Sequence, residues 1–364
     1  MSVYLDNAAT TPLDDEVLEA MLPLFKENFG NPDSLHAYGR GAAYLVAQAR
    51  ASVAETLGVK PTEVYFTSGG TEANNWAVRM LGEGGIAVSA VEHASVLSAA
   101  KLRAGGCAVV RTNAGGTVGA EQLSEALASD MGVACVMAVN NETGTVQPLE
   151  ELSALCRARG VALFSDCVQA ATVLDLKRVV RLADGISLSA HKMYGPKGVG
   201  ALIVKKGIKL RPLIAGGEQE RSLRGGTLNA AGIVGFACAL KKAQAEREAF
   251  CIHTKKLRDV FEGRVLGALG NEVRVDGENR APNISHLTFA QGGEAFLSLL
   301  DLNGVACSGG AACSAHAALP SHVMLAMGRS PEDAKRGVRF SFGRQTTEAE
   351  ALLAADIVIA CAQR

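Results

Sequence analysis

The alternation of short apolar runs with helical stretches between residues 60 and 205 most constrains how this chain can fold. Runs of strand length recur at Glu63–Thr67, Ile86–Ala90, Ala108–Arg111, Val133–Val139, Val161–Ser165, Gly185–Ser189 and Gly200–Val204. Helical patterns lie between them, as at Glu72–Leu81, Ala94–Arg103, Ala120–Leu127 and Leu149–Arg159. This alternation predicts an α/β fold, in which helices cover both faces of a mostly parallel sheet. Ligands of such sheets bind at the carboxyl ends of the strands, so we expect the functional side chains there.

A second region follows a long helical stretch over about Asn229–Glu262. Its shorter patterns predict further strands and helices at Val273–Val275, Asn283–Phe289, Glu294–Asp301, Gly337–Phe342 and Thr347–Ala362. We therefore predict two domains. Residues 16–246 form the large domain, and residues 1–15 and 247–364 form a small α+β domain with a cysteine-containing loop at about 304–318.

Composition limits the class of protein. The 364 residues are 48% hydrophobic and 20% charged, and the net charge of −1 gives no electrostatic basis for binding nucleic acid or an anionic membrane. No apolar stretch approaches the roughly 18 residues of a membrane span, and the N-terminus does not resemble a signal peptide. The nine cysteines are scattered without a Cys-x-x-Cys pair, so neither disulfides nor a metal site is predicted, and a cytoplasmic location is expected.

Lys192 lies where an apolar, serine-containing run, Gly185–Ser189, gives way to a turn at Gly195–Gly198. A lysine amine buried at a strand end loses charge through desolvation and becomes nucleophilic near neutral pH. The pattern therefore predicts a lysine that forms a Schiff base, with an ordinary loop lysine as the alternative.

The segment Ser68–Glu72 follows the first predicted strand and opens a helix. Gly70 lets the backbone approach an anion, Thr71 adds a hydroxyl, and the helix N-terminus supplies free N–H groups and a favourable dipole. A plain helix cap explains the same residues equally well. Ser189 and His191, close to the predicted reactive lysine, favour a phosphate group at this site.

Polar side chains at three other strand ends are candidate ring contacts. Asp166 ends a predicted buried strand, where burial of an unpaired carboxylate costs free energy. A protonated pyridine nitrogen would be a suitable partner for it, and Gln169 could reach the same ring. His93 could stack on a ring and exchange protons, and Asn141 could donate to a ring oxygen or to substrate. A helix cap for Asp166 and a structural role for His93 are the alternatives.

Cys313 lies in Gly304–His316, a segment of mostly Gly, Ala and Ser in which packing does not explain a cysteine. We predict a mobile reactive thiol there, although a loop cysteine without a role is the alternative. Cys307, nearer the preceding strand, is expected to be packed. Arg339 lies on an alternating strand, where its guanidinium can hold a carboxylate at two points unless it is merely a surface arginine.

Taken together, these motifs resemble the cysteine desulfurases of the NifS/IscS type, class V aminotransferase-like enzymes of pyridoxal-phosphate fold type I. The resemblance runs from Leu5 to about Arg344 and includes Leu5–Pro12, Phe29–Pro32, Ser68–Glu72, Val91–Ala94, Asn140–Gly144, Asp166–Gln169, Ser189–Lys192, Arg224–Thr227 and Ala311–Ser314. It implies a pyridoxal 5'-phosphate cofactor bound to the large domain and L-cysteine as the substrate.

By this resemblance Lys192 would hold the cofactor covalently, His93 would lie over its ring and move protons, and Asp166 would pair with the ring nitrogen. The remaining cofactor contacts would be Gln169 and Asn141 at the ring oxygen, and Gly70, Thr71, Ser189 and His191 at the phosphate.

The resemblance also implies a homodimer, since Thr227 would complete the phosphate site of the other subunit. Arg339, Asn31 and Asn141 would position the substrate carboxylate. Cys313 would be the nucleophile that takes the sulfur as a persulfide, with L-alanine released, and would supply it to an acceptor protein, an iron–sulfur scaffold or a sulfurtransferase.

Two positions depart from the family pattern. Glu218 replaces a glycine in Gly216–Glu220, which puts the local conformation in doubt. Cys167 stands beside Asp166 where alanine is commoner, and it could be sensitive to oxidation.

Other reactions of the same cofactor, such as a selenocysteine lyase, a β-lyase or an aminotransferase, need Lys192 and Asp166 but no mobile thiol. A non-catalytic assembly protein would be expected to lose Lys192, His93 or Cys313, and all three are present. Cys313 therefore favours the desulfurase.

Overall fold

The computed structural model of the protein describes residues 2–309 and 319–364. Cys313 and its neighbours in 310–318 lie outside the described residues. The strands of the described part are β1 (Val3–Tyr4), β2 (Val64–Thr67), β3 (Gly85–Ser89), β4 (Cys107–Val110), β5 (Met131–Cys135), β6 (Ala162–Asp166), β7 (Gly185–Ser189), β8 (Gly200–Val204), β9 (Val273–Asp276), β10 (Ile284–Phe289), β11 (Val305–Ala306), β12 (Ser308–Gly309) and β13 (Gly337–Ser341). Its helices are α1 (Asp15–Met21), α2 (Pro23–Lys26), α3 (Ala37–Leu57), α4 (Gly70–Met80), α5 (Ala94–Ala100), α6 (Ala120–Ala126), α7 (Leu149–Arg159), α8 (Leu176–Leu182), α9 (Gln219–Ser222), α10 (Ala230–Ala245), α11 (Arg247–Leu269), α12 (Glu294–Leu302), α13 (His322–Ala326), α14 (Pro331–Lys335) and α15 (Glu348–Ala362).

Strands β2 to β8 form a single sheet in the order β2-β8-β7-β6-β5-β3-β4. Six strands run parallel, and β8 alone is antiparallel to both of its neighbours. Both faces are covered, because successive residues of β8 enter different cores: Ala201 and Ile203 pack into one, Leu202 and Val204 into the other. The predicted mostly parallel α/β fold is confirmed.

A second sheet, in the order β12-β13-β10-β9, is antiparallel throughout. Its core joins Phe340 and Phe342 to Phe261 of α11 and Val358 of α15. Strand β1 pairs in parallel with β11, so the N-terminal segment contacts this second region. The exact domain boundaries stay a prediction.

The helical stretch predicted over about Asn229–Glu262 consists of two helices, α10 and α11, which meet at Glu246. Phe236 of α10 packs in the core of the large sheet. Helix α11 begins in that same core with Phe250 and continues into the core of the small sheet with Phe261. The helix that follows Glu246 therefore links the two cores.

The structure also contains elements that the sequence patterns did not indicate, above all the 21-residue helix α3. His36 caps its start by accepting from the Gly39 N–H, and Gly58 ends it in a left-handed conformation (φ 69°) that favours glycine. Among the described residues, no helix is long and apolar enough to cross a membrane.

Candidate functional site

Lys192 closes a short 3-10 turn, Ala190–Lys192, directly after β7. Its Nζ donates to the backbone oxygens of Ala8 (2.7 Å) and Ala9 (2.6 Å). These two carbonyls orient the amine at the carboxyl edge of the sheet, where the sequence placed it.

The N-terminal run Leu5–Thr11 forms one side of the candidate site. Gln169 donates from Nε2 to the Ala8 oxygen (2.8 Å), the same oxygen that accepts from Lys192. The Thr10 hydroxyl lies 3.2 Å from Nδ1 of His191. This run is part of the family resemblance, but the sequence patterns predicted no role for it in the site. Its small residues were the available signal, since they let the backbone approach other groups closely.

Asp166 ends β6 and is 4% exposed. Its Oδ2 accepts from Nδ2 of Asn74 (2.6 Å), and its Oδ1 accepts from the Val168 N–H (2.9 Å). Asn74 in turn accepts at Oδ1 from the Ser187 hydroxyl (2.6 Å). The buried carboxylate is thus hydrogen-bonded on both oxygens, as burial requires.

His93 caps α5, and its Nδ1 accepts from the Ser95 N–H (3.2 Å) and lies 2.7 Å from the Ser95 hydroxyl. Because Nδ1 accepts, a neutral His93 carries its proton on Nε2. Nδ2 of Asn74 also donates to the Ser95 hydroxyl (2.9 Å), so Asn74 links Asp166 to His93. The sequence patterns did not identify Asn74. The available signal was an amide side chain in the first turns of a helix that begins at a candidate binding segment.

Two of the predicted phosphate contacts, Gly70 and Ser189, lie together at the start of α4. A Cβ atom added to Gly70 would lie 2.7 Å from Cγ2 of Val168 and 3.5 Å from Cβ of Ser189. Because Gly70 has no side chain, the start of the helix can lie close to Ser189, and its backbone N–H groups are not covered by a side chain at this position. Thr71 follows in the first turn. The pKa of His191 is lowered to about 4 by burial and by Lys192, so its ring is neutral at pH 7 and one ring N–H can donate to an anion.

Arg339 is 3% exposed on β13 and faces two partners. One terminal nitrogen donates to the backbone oxygen of Asn141 (2.7 Å), and the other pairs with the carboxylate of Asp6 (2.8 Å). Its Nε is buried and has no hydrogen-bond partner among the described residues. Arg339 is therefore not a surface arginine, and Asp6 is a neighbour that sequence reasoning did not identify.

Two predicted residues of the described part of the chain show no contact with this cluster. Asn31 is exposed, and its side chain accepts from the Asp33 N–H (3.0 Å) in a local turn. Thr227 is exposed as well. Cys313 lies outside the described residues.

The two departures from the family pattern have local explanations. Glu218 has φ −81°, so its backbone does not need glycine. Cys167 is fully buried, and burial together with the Asp166 charge raises the pKa of its thiol. The expected sensitivity of Cys167 to oxidation is therefore wrong, because oxidation needs an accessible thiolate. Cys307 is largely packed, as expected, and burial raises the pKa of its thiol to about 12.

An unexpected turn of left-handed backbone follows Glu218. Glu220, Arg221 and Ser222 have φ values of 46°, 60° and 62°, which cost about 1 kcal/mol or more per residue. Side chains offset this cost. Glu220 pairs with Arg50 at 2.6 Å, and the Arg221 guanidinium lies 4.1 Å from the centre of the Tyr65 ring.

These residues fit the chemistry of pyridoxal 5'-phosphate. Lys192 offers an amine for the aldehyde, the bare helix start at Gly70 offers N–H groups for the phosphate, and Asp166 offers a buried carboxylate for a protonated ring nitrogen. Each of these groups lies at or just beyond the carboxyl end of a parallel strand, where ligands of such sheets bind.

The fold is that of an α/β enzyme, and its candidate site has residues that fit a phosphate-bearing cofactor. The family model "Aminotransferase class-V" matches residues 3–352, and the chain belongs to that family. It is 40% identical over 368 residues to "Cysteine desulfurase IscS" of Dictyoglomus turgidum, an alignment that covers 98% of this chain and 93% of the relative.

Solved structures agree with this assignment. A "NifS-like protein" matches with a TM-score of 0.89 at 33% identity and covers 99% of both chains. Another, "SspA in complex with cysteine", matches with a TM-score of 0.81 at 31% identity, covering 94% of this chain and 99% of that one. The resemblance drawn from the motifs is confirmed.

Proposed function

We propose that the protein is a cysteine desulfurase that converts L-cysteine to L-alanine and transfers the sulfur to Cys313. The cysteine C–S bond breaks, an S–S bond forms, and the products are alanine and a persulfide, so atoms and electrons balance without a further reactant. The observation that carries the proposal is the run Leu5–Thr11, which contacts Lys192 through Ala8 and Ala9 and contacts Arg339 through Asp6. An amine and a carboxylate-binding group therefore both contact the same short segment, as an amino-acid substrate requires.

Pyridoxal 5'-phosphate, when bound, supplies an aldehyde for amines and an electron sink for the substrate carbanion. Lys192 would hold it through Nζ, and the same amine would accept the substrate α-proton. His93 holds a proton at Nε2, from which it can donate. Asp166 would keep the ring nitrogen protonated, and Gln169 would bind the ring oxygen.

The other site residues bind and orient. Gly70, Thr71, Ser189 and His191 would bind the phosphate. Arg339, with its unpartnered Nε, holds the substrate carboxylate together with Asn31 and Asn141. Cys313 is the nucleophile for the substrate sulfur.

We propose a homodimer as the working unit. Exposed large apolar side chains are concentrated on α1 to α3 and the loops beside them, namely Leu13, Leu18, Leu22, Phe25, Phe29, Leu35, Tyr38 and Tyr44. Such a concentration is typical of an interface. The exposed Thr227 is available to a second subunit. Light scattering should give twice the mass of the chain, and Phe25→Glu should shift the protein toward monomer.

We also propose a cytoplasmic location and transfer of the sulfur to an acceptor protein, such as an iron–sulfur scaffold or a sulfurtransferase. Each of the eight cysteines in the described part is a free thiol, as a reducing compartment favours.

The test gives L-cysteine to purified wild type and to Cys313→Ala, and measures alanine, sulfide and the visible absorbance of the bound cofactor. We expect wild type to release alanine. We expect Cys313→Ala to change its absorbance on adding cysteine but to form no alanine. Cys307→Ala is the matched control, because this largely packed thiol lies close by in sequence and should not be needed.

Equal alanine formation by wild type and Cys313→Ala would remove the proposed nucleophile and favour a lyase, such as one acting on selenocysteine. A wild type that binds no pyridoxal 5'-phosphate would refute both enzymatic functions.

A further inference from the structure

Helix α13 begins with two residues that contact two different loops of the candidate site. The Ser321 hydroxyl donates to Oε2 of Glu142 (2.5 Å). Nε2 of His322 lies 2.9 Å from the backbone oxygen of Glu92, which makes this nitrogen the donor. Glu142 directly follows Asn141, and Glu92 directly precedes His93.

Both contacts are internal rather than superficial. Ser321 is 2% exposed and Glu142 is 3% exposed. A carboxylate so deeply buried depends on the few donors that reach it, and the Ser321 hydroxyl is one of them. Val323 and Met324, next along α13, pack in the same apolar cluster as Val91.

The two loops are also tied to each other. Asn140 donates from Nδ2 to the Val91 oxygen (2.9 Å) and accepts at Oδ1 from the Glu142 N–H (2.9 Å). Helix α13 therefore lies across a pair of loops that already form one unit. The same unit receives Arg339, which donates to the Asn141 oxygen.

We propose that Ser321 and His322 are positioning residues, which hold the loops of His93 and Asn141 in the arrangement that substrate and cofactor need. Neither residue touches the reacting atoms. Ser321 holds Glu142, which directly follows Asn141. It thereby positions the Asn141 carbonyl, which accepts from Arg339. His322 acts through the Glu92 carbonyl on the backbone of His93. This inference rests on the proposed desulfurase function.

Ser330 offers a matched control for Ser321. Ser321 caps α13 by accepting from the Met324 N–H (3.2 Å), and Ser330 caps α14 by accepting from the Asp333 N–H (3.1 Å). Both alanine variants lose a helix cap, but only Ser321→Ala also loses a bond to a site loop. Any effect on stability that comes from capping alone is common to the two variants.

The experiment compares wild type, Ser321→Ala and Ser330→Ala as holoenzymes, and measures KM and kcat for alanine formation. It also measures the exchange of the α-hydrogen of L-alanine with deuterated solvent, which does not need Cys313. We expect Ser321→Ala to lower kcat/KM and the exchange rate by about tenfold or more, since a small misplacement of catalytic groups costs at least that. Ser330→Ala should remain close to wild type, and both variants should keep the visible absorbance of the cofactor.

A second pair of variants covers the case in which Ser321→Ala does not fold. His322→Leu removes the donor to the Glu92 carbonyl, whereas His322→Gln can retain an N–H at a similar reach. We expect His322→Leu to slow α-hydrogen exchange and His322→Gln to restore most of it.

Equal kinetics for Ser321→Ala and Ser330→Ala, or for the two His322 variants, would overturn the positioning role while the desulfurase function stands. A wild type without cofactor binding or alanine formation would refute the proposed function itself, and with it the inference.

Discussion

Asn74 is the residue whose removal should affect both the stability and the chemistry of the site. Its side chain is 1% exposed, and it makes three short hydrogen bonds, to Asp166, to Ser95 and from Ser187. Asn74→Ala would leave Oδ2 of Asp166 and two buried hydroxyl groups without this partner. The neighbouring Asn75 lies on the same helix but makes only a 3.0 Å bond and a 3.4 Å bond to backbone oxygens, so Asn75→Ala is the control.

The expected loss of stability follows from these bonds. The bond to the Asp166 carboxylate contributes about 2 kcal/mol, and each of the two hydroxyl bonds contributes about 1 kcal/mol. Alanine is the better helix former and returns about 0.6 kcal/mol. We therefore expect Asn74→Ala to lower the free energy of unfolding by about 3 kcal/mol, and Asn75→Ala by less than about 1 kcal/mol.

Urea unfolding of the cofactor-free proteins measures this difference, because bound cofactor would add its own stabilisation to wild type. The holoenzymes then report on the chemistry. Without Asn74, the Ser95 hydroxyl that contacts His93 is no longer fixed, and α-hydrogen exchange should slow more in Asn74→Ala than in Asn75→Ala. Similar losses of stability in the two variants would show that the Asn74 bonds do not matter as argued.

Three further predictions follow from burial and contact. The pKa of Glu92 is raised from 4.5 to about 8 by burial, with a smaller contribution from the nearby Asp166 charge. Between pH 4.5 and about 8 the folded state therefore keeps a proton that the unfolded chain releases. As the pH rises through this range, the unfolding free energy of wild type relative to Glu92→Gln should fall by up to about 1.4 kcal/mol per pH unit. A difference in unfolding free energy that does not change with pH in urea titrations would contradict this. Gly70→Ala should weaken cofactor binding about tenfold or more in a spectroscopic titration, because its methyl group meets a side chain at 2.7 Å, whereas Gly263→Ala in open space should not. Arg339→Lys should raise KM for L-cysteine about tenfold or more without changing the cofactor absorbance, since a single ammonium cannot keep the contacts to Asn141 and Asp6 and also bind the substrate carboxylate. An unchanged KM would remove its role.

Sequence patterns were sufficient for the class of fold and for most of the strands that carry the site. Period and length distinguish strands such as β7 from helices such as α7, and the alternation of the two admits few arrangements other than a mostly parallel sheet. The patterns did not place the break at Glu246, because the residues on both sides of it, in α10 and in α11, are helical. They also missed α3, whose start and end depend on local caps at His36 and Gly58.

For the site, the sequence identified side chains that carry their own chemistry. Lys192, Asp166 and His93 are recognisable because an amine, a carboxylate and an imidazole at strand ends suggest reactions. Gly70 is recognisable because a helix start with small residues suggests an anion.

Tertiary structure alone decided what holds those groups. The backbone carbonyls of Ala8 and Ala9 orient Lys192. Because every residue has a backbone carbonyl, the residue type at positions 8 and 9 does not indicate this role. Asn74 links two strand ends. Ser321 contacts Glu142 although the two residues lie 179 positions apart in the sequence. Such contacts depend on where the packed sheets and helices bring distant segments together, which local sequence patterns do not encode.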